Sequence, residues 1–184
     1  ERLVRAIADN RRDLLPYRDR FPELGRIVKD PWRTGPVEID IATALDHLPE
    51  KETVSVRIDP ELTVAIEADG ILGRPRMKKG RIEFTYRRKQ TGEVEGPRER
   101  LELLGRLLEG RKRILASDLK SMHLPRDLEA FKRAVEMERG EVQDLVAAGR
   151  SLVEAAERVV CRLYRIPREL EDEIVEHGIA RADA

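Results

Sequence analysis

The stretch LEAFKRAVEMERGEVQDLVAAGRSLVEAAERVVCRL, from Leu128 to Leu163, decides the fold more than any other part of the chain. Positions at alternating spacings of three and four residues form the heptad seam of a coiled coil or a long bundle helix. The seam positions are Leu128, Phe131, Val135, Glu138, Val142, Leu145, Gly149, Leu152, Ala156, Val159 and Leu163. We expect one helix over Arg126–Arg165, or a helical hairpin if Gly140 breaks it, because glycine inside a helix costs about 1 kcal/mol against alanine. Glu138, Gly140 and Gly149 interrupt the seam, which favours packing against the chain's own helices over a free coiled coil.

A small β-region precedes this helix. Three segments alternate apolar and polar residues, and they are Thr53–Ile58, Leu62–Ile66 and Ile82–Tyr86. Alternation of period two is typical of strands with one packed and one solvated face. The sequence therefore predicts an α+β fold, with a small antiparallel β-sheet, flanking helices and the long C-terminal heptad-patterned helix or hairpin. We place a mixed α/β body with the basic β-region at residues 1–125, and the long helix with a short terminal helix at residues 126–184.

The remaining segments are assigned from their spacing and their prolines. Leu3, Ile7 and Leu14 lie at helical spacing, so residues 1–15 are predicted to form a helix. An ordered loop held by Trp32 is expected over Phe21–Pro36. Residues 37–48 favour a short helix over a strand, everything after residue 97 is predicted to be helical, and the last short helix is expected over residues 168–180.

Charge and cysteine content narrow the class of protein. Charged residues make up 39% of the 184 residues but balance to a net charge of zero, so the whole chain exerts no general attraction on nucleic acids or membranes. The single cysteine, Cys161, excludes an internal disulfide and is expected to be a small core residue. No apolar stretch approaches the roughly 20 residues of a membrane span, and no signal peptide is found at the N-terminus. We expect a cytoplasmic protein without a membrane partner, and, because the chain opens on Glu1, a piece of a longer one.

No complete catalytic centre is found in the sequence. No two glycines stand two residues apart, so no G-x-G loop exists to hold a nucleotide, and the P-loop and nucleophile-elbow motifs are absent. The three histidines are far apart and have no neighbouring metal-ligand partner. Asp118-x-Lys120 matches the acidic-x-Lys pair of nucleases, but it lies in a helical context instead of on a strand. We therefore assign no catalytic residue and no metal ligand.

One local concentration of positive charge flanks the third predicted strand. In this stretch Glu83 is the only acid, and Phe84 and Tyr86 interleave with the cations. The basic residues are Arg74, Arg76, Lys78, Lys79, Arg81, Arg87, Arg88 and Lys89. A basic loop beside a strand suits contact with nucleic-acid phosphates; alternatively, these charges pair with acids elsewhere and keep a sheet edge soluble. A smaller basic cluster, residues 111–113, is better explained as charge favouring a helix C-terminus.

The C-terminal stretch resembles a known family. Its sequence, Val159-Val160-Cys161-Arg162-Leu163-Tyr164-Arg165-Ile166-Pro167 followed by Glu169 and Glu173-Ile174-Val175, is similar to the ending of many large adenine-specific DNA methyltransferases. These include type IIG restriction–modification enzymes and the methylases of phage-defence systems such as BREX and DISARM. In that family a leucine-tyrosine-glycine-leucine turn closes a long helix, and this chain departs from it at Arg165 and Pro167. The stretch Ser117–Pro125 also resembles the "DLK…lPxP" segment of target-recognition regions in these enzymes.

The resemblance implies a fragment that follows the catalytic domain. The family's Asn/Asp-Pro-Pro-aromatic motif and its glycine-rich S-adenosylmethionine loop are both absent, and Asp30-Pro31-Trp32 lacks the second proline. The implied role is non-catalytic DNA recognition or scaffolding, with duplex DNA and the remainder of a larger parent protein as partners. The parent enzyme would bind S-adenosylmethionine, and this chain would bind no cofactor. The alternative is a protein–protein interaction or oligomerisation module built on the long helix, without DNA binding.

Overall fold

The computed structural model describes residues 1–33, 35–66 and 70–177, and it divides into two compact units. One unit combines Glu1–Asp40 with Arg133–Ala184, and the other is Ile41–Lys132. These units divide the chain differently from the expected 1–125 and 126–184, because the N-terminal helix shares a core with the long helix. The α+β class is confirmed: the described residues form seven α-helices and two small antiparallel sheets. No helix in the described ranges has the length and apolar character needed to cross a membrane.

The helices and strands are numbered in chain order. The helices are α1 (Arg2–Leu14), α2 (Leu24–Lys29), α3 (Ile41–Asp46), α4 (Arg98–Leu107), α5 (Ala116–Ser121), α6 (Leu128–Leu163) and α7 (Arg168–His177). The strands are β1 (Thr53–Ser55), β2 (Thr63–Ile66), β3 (Arg74–Lys78), β4 (Arg81–Tyr86), β5 (Lys89–Glu95) and β6 (His123–Pro125). The predicted last helix ends at position 177, and residues 178–180 lie outside the described residues.

The long helix α6 is a single element. It runs unbroken for 36 residues, about 54 Å at a rise of 1.5 Å per residue. Gly140 lies within it, and a Cβ atom added there would meet nothing within 4 Å. The single helix is therefore confirmed and the hairpin alternative does not occur, because the helix continues through Gly140.

The middle of α6 packs against the N-terminal segment inside the first unit. Val142 and Val146 of α6 share a buried cluster with Leu14 of α1 and with Leu24 and Ile27 of α2. Phe21 and Val37 complete this cluster, with exposures of 0% each. The centre of the seam is thus covered by the chain itself.

Two interruptions of the seam each meet a specific partner. Glu138 forms an ion pair with Arg20, whose guanidinium lies 5.5 Å from the centre of the Tyr17 ring. A Cβ atom at Gly149 would lie 2.5 Å from the Asn10 side-chain oxygen, and the Asn10 amide donates a hydrogen bond to the Leu145 carbonyl at 2.8 Å. The polar and small residues on the seam therefore fit the segment that covers it.

The end of α6 is covered on one side by α7. Cys161 and Val175 are buried, which confirms Cys161 as a core residue. Glu171 of α7 lies 3.7 Å from Arg158 and 3.8 Å from Arg162. On the other side the apolar residues Val159, Val160, Leu163 and Tyr164 are exposed.

The expected loop over Phe21–Pro36 was only partly correct. It contains α2, because Leu24 and Ile27 lie one helical turn apart and both enter the core. Trp32 is half-buried, as expected for an anchor, with the Arg150 guanidinium of α6 5.8 Å from its ring centre.

In the second unit, four strands form an antiparallel sheet in the order β2-β5-β4-β3. Ile82, Phe84 and Val94 are buried on one face, so the third predicted alternation is confirmed as β4. The prediction for Thr53–Ile58 was wrong beyond Ser55: the strand ends there, and Ile58 is 67% exposed because the chain turns at residues 56–58.

The region after Pro97 is not wholly helical, as had been expected. The short strand β6 pairs with β1, where Leu124 lies opposite Val54 and both side chains are buried. The difference arises because the three residues of β6 pair with β1, a segment about 70 positions earlier in the chain. The sequence of β6 by itself does not indicate this pairing.

Arg100 of α4 ties several segments of this unit together. Its side chain is 5% exposed, and its Nη1 atom donates to Asp59 Oδ2 and to the Pro125 carbonyl, both at 2.9 Å. Its Nη2 atom donates to the Arg126 carbonyl at 2.8 Å, and its Nε atom pairs with Glu61. One buried guanidinium thus connects the loop before β2, helix α4 and the start of α6.

Candidate nucleic-acid interface

Half of the predicted basic residues lie on one solvated face of the four-stranded sheet. The register places Arg76 opposite Glu83 and Lys78 opposite Arg81. Since paired residues point to the same side, β3 and β4 present Arg74, Arg76, Lys78 and Arg81 together. The other side carries the buried residues Ile82 and Phe84.

Acids on the same face neutralise part of this charge. Lys78 Nζ lies 2.5 Å and Arg81 Nη2 lies 2.9 Å from the Glu83 carboxylate. The hydrogen bond from Lys78, with the nearby Arg81 charge, lowers the pKa of Glu83. The antiparallel pairing of β5 also brings Glu93 and Glu95 within 3.8 and 4.0 Å of Arg81. Lys78 and Arg81 are therefore engaged in the ion pairs that the alternative interpretation expected.

The turn between β4 and β5 holds two arginines in an unfavourable backbone conformation. Arg87 and Arg88 have φ angles of +48° and +67°, between the paired residues Tyr86 and Lys89. Two-residue hairpin turns of this kind favour asparagine and glycine. For a residue with a Cβ atom the left-handed region costs about 1–2 kcal/mol. Backbone strain of this kind is concentrated at functional sites. Within the second unit, this turn is therefore the strongest local indication of a binding site.

Tyr86 connects this turn to a segment beyond α4. The guanidinium groups of Arg87 and Arg113 lie 5.3 and 5.7 Å from the centre of its ring. Arg113 Nη2 also donates a hydrogen bond to the phenolic oxygen at 3.2 Å. This hydrogen bond, with the charge of Arg87, lowers the pKa of Tyr86. We call residues 86–89 together with Arg113 the Tyr86 cluster.

The expectation that residues 111–113 favour a helix C-terminus is corrected for Arg113 by this contact. Helix α4 ends at Leu107, and the basic residue in its last turn is Arg106. Arg113 instead precedes the buried residue Ile114, whose carbonyl accepts the Leu72 N–H at 2.7 Å. The Arg113 guanidinium therefore contacts Tyr86 at the hairpin turn and not the C-terminus of α4.

A groove of about 680 Å³ continues the basic surface from β3 to the end of α4. Arg74, Arg111 and Lys112 line it, together with Arg106, Glu102 and Glu109. Its apolar lining comes from Pro75, Met77, Ile82 and Leu108. Arg74 lies opposite Thr85, so it stands at the Tyr86 end of β4.

The eight predicted residues are thus brought together only in part. One group stands at the Tyr86 end of the sheet and consists of Arg74, Arg87, Arg88 and Lys89. Lys79 lies in the turn at the opposite end of β4, next to Gly80. Residues 111–113 were missed as partners because more than 20 positions separate them from the turn, and only their basic composition marked them.

Within residues 1–33, 35–66 and 70–177, no three His, Cys, Asp or Glu side chains are grouped closely enough to hold a metal. Asp118 and Lys120 lie on the short helix α5, and Asp118 accepts a hydrogen bond from Ser117. In Asp30-Pro31-Trp32 the carboxylate accepts the Trp32 backbone N–H at 3.2 Å, an ordinary turn contact.

Comparisons with known proteins identify no relative of this chain. No family model matches the chain, and neither a curated protein nor a solved structure does. Function is therefore inferred from the residues and their arrangement.

Proposed function

We propose that the chain is a non-catalytic module that contacts the phosphate backbone of duplex DNA through the Tyr86 cluster. One observation carries the proposal: two arginines occupy the strained hairpin turn, and a third, Arg113, is held beside them by Tyr86. An Asn-Gly turn, which this backbone conformation favours, would carry no guanidinium group.

The chemistry of these side chains suits phosphate. A guanidinium presents planar donors that match two phosphate oxygens at once, and its charge persists at any physiological pH. Arg88 and Lys89 form no ion pair with any residue in the described part of the chain, unlike Lys78 and Arg81. Stacking on Tyr86 limits the freedom of Arg87 and Arg113, which lowers the entropy lost on binding.

We further propose that this module belongs to an adenine-specific DNA methyltransferase or restriction–modification enzyme. The resemblance of Val159–Pro167 and the acidic helix after it to the ends of such enzymes supports this assignment. Base flipping, S-adenosylmethionine binding and methyl transfer would then belong to the remainder of the parent protein. This chain would position the duplex.

Fluorescence anisotropy with a labelled duplex at 50–200 mM KCl tests the DNA contact. The informative variant is Arg87→Asn/Arg88→Gly, because asparagine and glycine suit the turn and preserve the fold. We expect weaker binding and a plot of log K against log salt that is shallower by about 1.8, since each lost phosphate contact removes about 0.9 from the slope.

The matched control is Arg2→Ala/Arg5→Ala, which removes the same charge from exposed positions of α1. It is expected to bind with an unchanged slope. The DNA contact is rejected if the wild type shows no salt-dependent binding, or if both double variants lose affinity equally.

A second candidate function, without DNA binding, is self-association through the end of α6. Leu163 and Tyr164 are 76% and 78% exposed, and Val159 and Val160 lie one turn before them on the same faces. Sedimentation velocity over 10–500 µM should then show a dimer that Leu163→Ser/Tyr164→Ser abolishes. A monomer at every concentration would exclude this candidate.

A further inference from the structure

The groove between strand β3 and the end of helix α4 has an accessible apolar floor. Met77 is paired with Ile82 and Pro75 with Phe84, so the side chains of Met77 and Pro75 lie on the packed side of the sheet. Gly105 of α4 faces Met77, because a Cβ atom there would lie 2.8 Å from the Met77 Cε atom. Since β3 is the outer strand of the sheet, Met77 remains 49% exposed within the groove.

The rim of this groove carries four exposed cations. Their side chains form no hydrogen bond or ion pair with any residue that the structure describes, and they are Arg74, Arg106, Arg111 and Lys112. Two carboxylates also line the groove. Glu102 already pairs with Arg98 at 2.7 Å, whereas Glu109 has no such partner in the described part of the chain. The rim therefore holds an excess of available positive charge above an apolar floor.

We propose that this groove binds an acidic peptide segment of a partner protein, and that the segment carries an aliphatic side chain between its carboxylates. The carboxylates pair with the rim cations, since a guanidinium matches both oxygens of a carboxylate at once. The aliphatic side chain packs on Met77 and Pro75 and removes their apolar surface from water. Charge complementarity and the apolar floor thus select the same kind of partner.

A nucleic acid matches this lining less well than a peptide does. Proteins hold single strands by stacking the bases on aromatic rings, and no aromatic side chain lines the groove among the described residues. A phosphodiester backbone has no donor for the Glu109 carboxylate, whereas each peptide N–H is one. This inference is independent of the DNA contact at the Tyr86 cluster, which does not include the residues of the apolar floor.

The test is a titration of the whole chain with the end-blocked peptide Asp-Glu-Leu-Asp-Glu, followed by the NMR signals of the methionine methyl groups. Potassium chloride at about 150 mM limits the effect of distant charges, since the screening length is then about 8 Å. The chain has three methionines, and Met77→Gln identifies the signal that reports on the groove. We expect a saturable shift of the Met77 signal. The signal of Met137, which is 68% exposed on α6, should not move.

Two further peptides of the same length separate the charge from the apolar contact on the unmodified chain. Asn-Gln-Leu-Asn-Gln keeps the leucine without the charges, and Asp-Glu-Ser-Asp-Glu keeps the charges without the leucine. Each should bind at least about tenfold more weakly, because each lacks one of the two contributions. A DNA oligonucleotide is the third ligand. If it shifts the Met77 signal saturably and the acidic peptide does not, the groove is a nucleic-acid surface and the proposal is overturned.

Variants then locate the binding. Arg106→Ala/Arg111→Ala is expected to weaken binding of the acidic peptide at least about tenfold, the usual effect of losing a charge-assisted hydrogen bond. Arg2→Ala/Arg5→Ala removes the same charge from α1 and should leave the titration unchanged. Arg87→Asn/Arg88→Gly should also leave it unchanged, so a failure of this proposal is distinguishable from a failure of the DNA contact.

Three results would each overturn the proposal. The first is the absence of a saturable Met77 shift with the acidic peptide. The second is equal binding of the acidic peptide and either of its two altered forms. The third is an equal loss of affinity in the groove variant Arg106→Ala/Arg111→Ala and in the α1 variant Arg2→Ala/Arg5→Ala.

Discussion

Arg113 donates a hydrogen bond to the phenolic oxygen of Tyr86 across 27 positions of sequence, at 3.2 Å. Through this contact two short basic runs, which look unrelated in the sequence, become one surface. The contact also determines how Tyr86 ionises, and its consequences are measurable without any ligand.

The ionisation of Tyr86 provides the first prediction. The hydrogen bond from Arg113 and the charge of Arg87 stabilise the phenolate, so the pKa of Tyr86 lies below the ordinary value of about 10. Tyr86 should therefore lose its proton at lower pH than a free tyrosine, and Arg113→Ala should move that transition to higher pH. Absorbance at about 295 nm during an alkaline titration follows the phenolate, and Tyr86→Phe identifies the transition.

Tyr17 is the internal control for that titration. Its hydroxyl donates a hydrogen bond to the Glu141 carboxylate at 3.1 Å, which raises its pKa. Tyr17 should ionise above the ordinary value in both wild type and Arg113→Ala. A Tyr86 transition that does not respond to Arg113→Ala would contradict the contact.

The hairpin turn provides the second prediction, on stability. Arg87→Asn/Arg88→Gly relieves two left-handed arginines, so we expect the free energy of unfolding to rise by about 1–2 kcal/mol. Urea denaturation measures the change. Together with the expected loss of DNA affinity, a gain in stability would show that the arginines are kept for binding at the expense of the fold. An unchanged or lower stability would mean that the turn is not strained.

The buried guanidinium of Arg100 provides the third prediction. Arg100→Met leaves Asp59 buried without its partner and two carbonyls without donors, so we expect a loss of about 3–5 kcal/mol. Arg98→Met is the matched control two residues earlier on the same helix, where the side chain is 88% exposed. Thermal unfolding should show a large drop for Arg100→Met and almost none for Arg98→Met. Similar unfolding temperatures for the two variants would contradict the conclusion that Arg100 stabilises this unit through its buried contacts.

Two glycines of α6 provide the fourth prediction. Gly140→Ala adds a methyl group in open space, and we expect about 1 kcal/mol of stabilisation from the better helix former. Gly149→Ala makes the same chemical change, but its Cβ atom would lie 2.5 Å from the Asn10 oxygen. Displacing Asn10 leaves the hydrogen bond to Leu145 unmade, so this variant should be at least about 1 kcal/mol less stable than Gly140→Ala. Equal stabilisation by the two changes would argue against close packing at Gly149.

Helix α6 and strand β4 were predictable because the pattern of apolar residues within each segment indicates its secondary structure. In β4, Ile82 and Phe84 alternate with Arg81 and Glu83, which fixes both the strand and its buried face. In α6, the long periodic pattern outweighs the cost of one glycine. Elements of this kind need no information from distant parts of the chain.

Strands β3 and β5 were not predictable in the same way. The inner positions of β3 are Pro75 and Met77, and Gly92 of β5 stands opposite Phe84, so neither strand shows a clean apolar alternation. A Cβ atom at Gly92 would lie 3.0 Å from the Ala65 carbonyl oxygen, so a larger residue there would need the neighbouring strand to move by a few tenths of an ångström. Both strands exist because β4 lies between them as a template. These two strands are therefore determined by tertiary contacts and not by the pattern of their own residues.

The candidate site shows the same limit. The basic composition of residues 74–89 was visible, but two of the three acids that lie near Arg81 come from β5, which was not predicted. The partner of Tyr86 comes from beyond α4. Which cations are paired and which are available depends on strand register, and composition does not contain that information.

The contact of Asn10 with Gly149 has a consequence for how α1 and α6 choose their alignment. If α1 slid along α6 by one turn, about 5.4 Å, Asn10 would face a residue with a side chain and its amide would lose the Leu145 carbonyl. Apolar pairs such as Leu14 with Val142 tolerate such sliding, since one aliphatic surface resembles the next. A single polar side chain seated over a glycine does not tolerate it. Asn10 and Gly149 therefore determine the alignment of α1 and α6. They select one register of the helix pair from several that would bury similar apolar area.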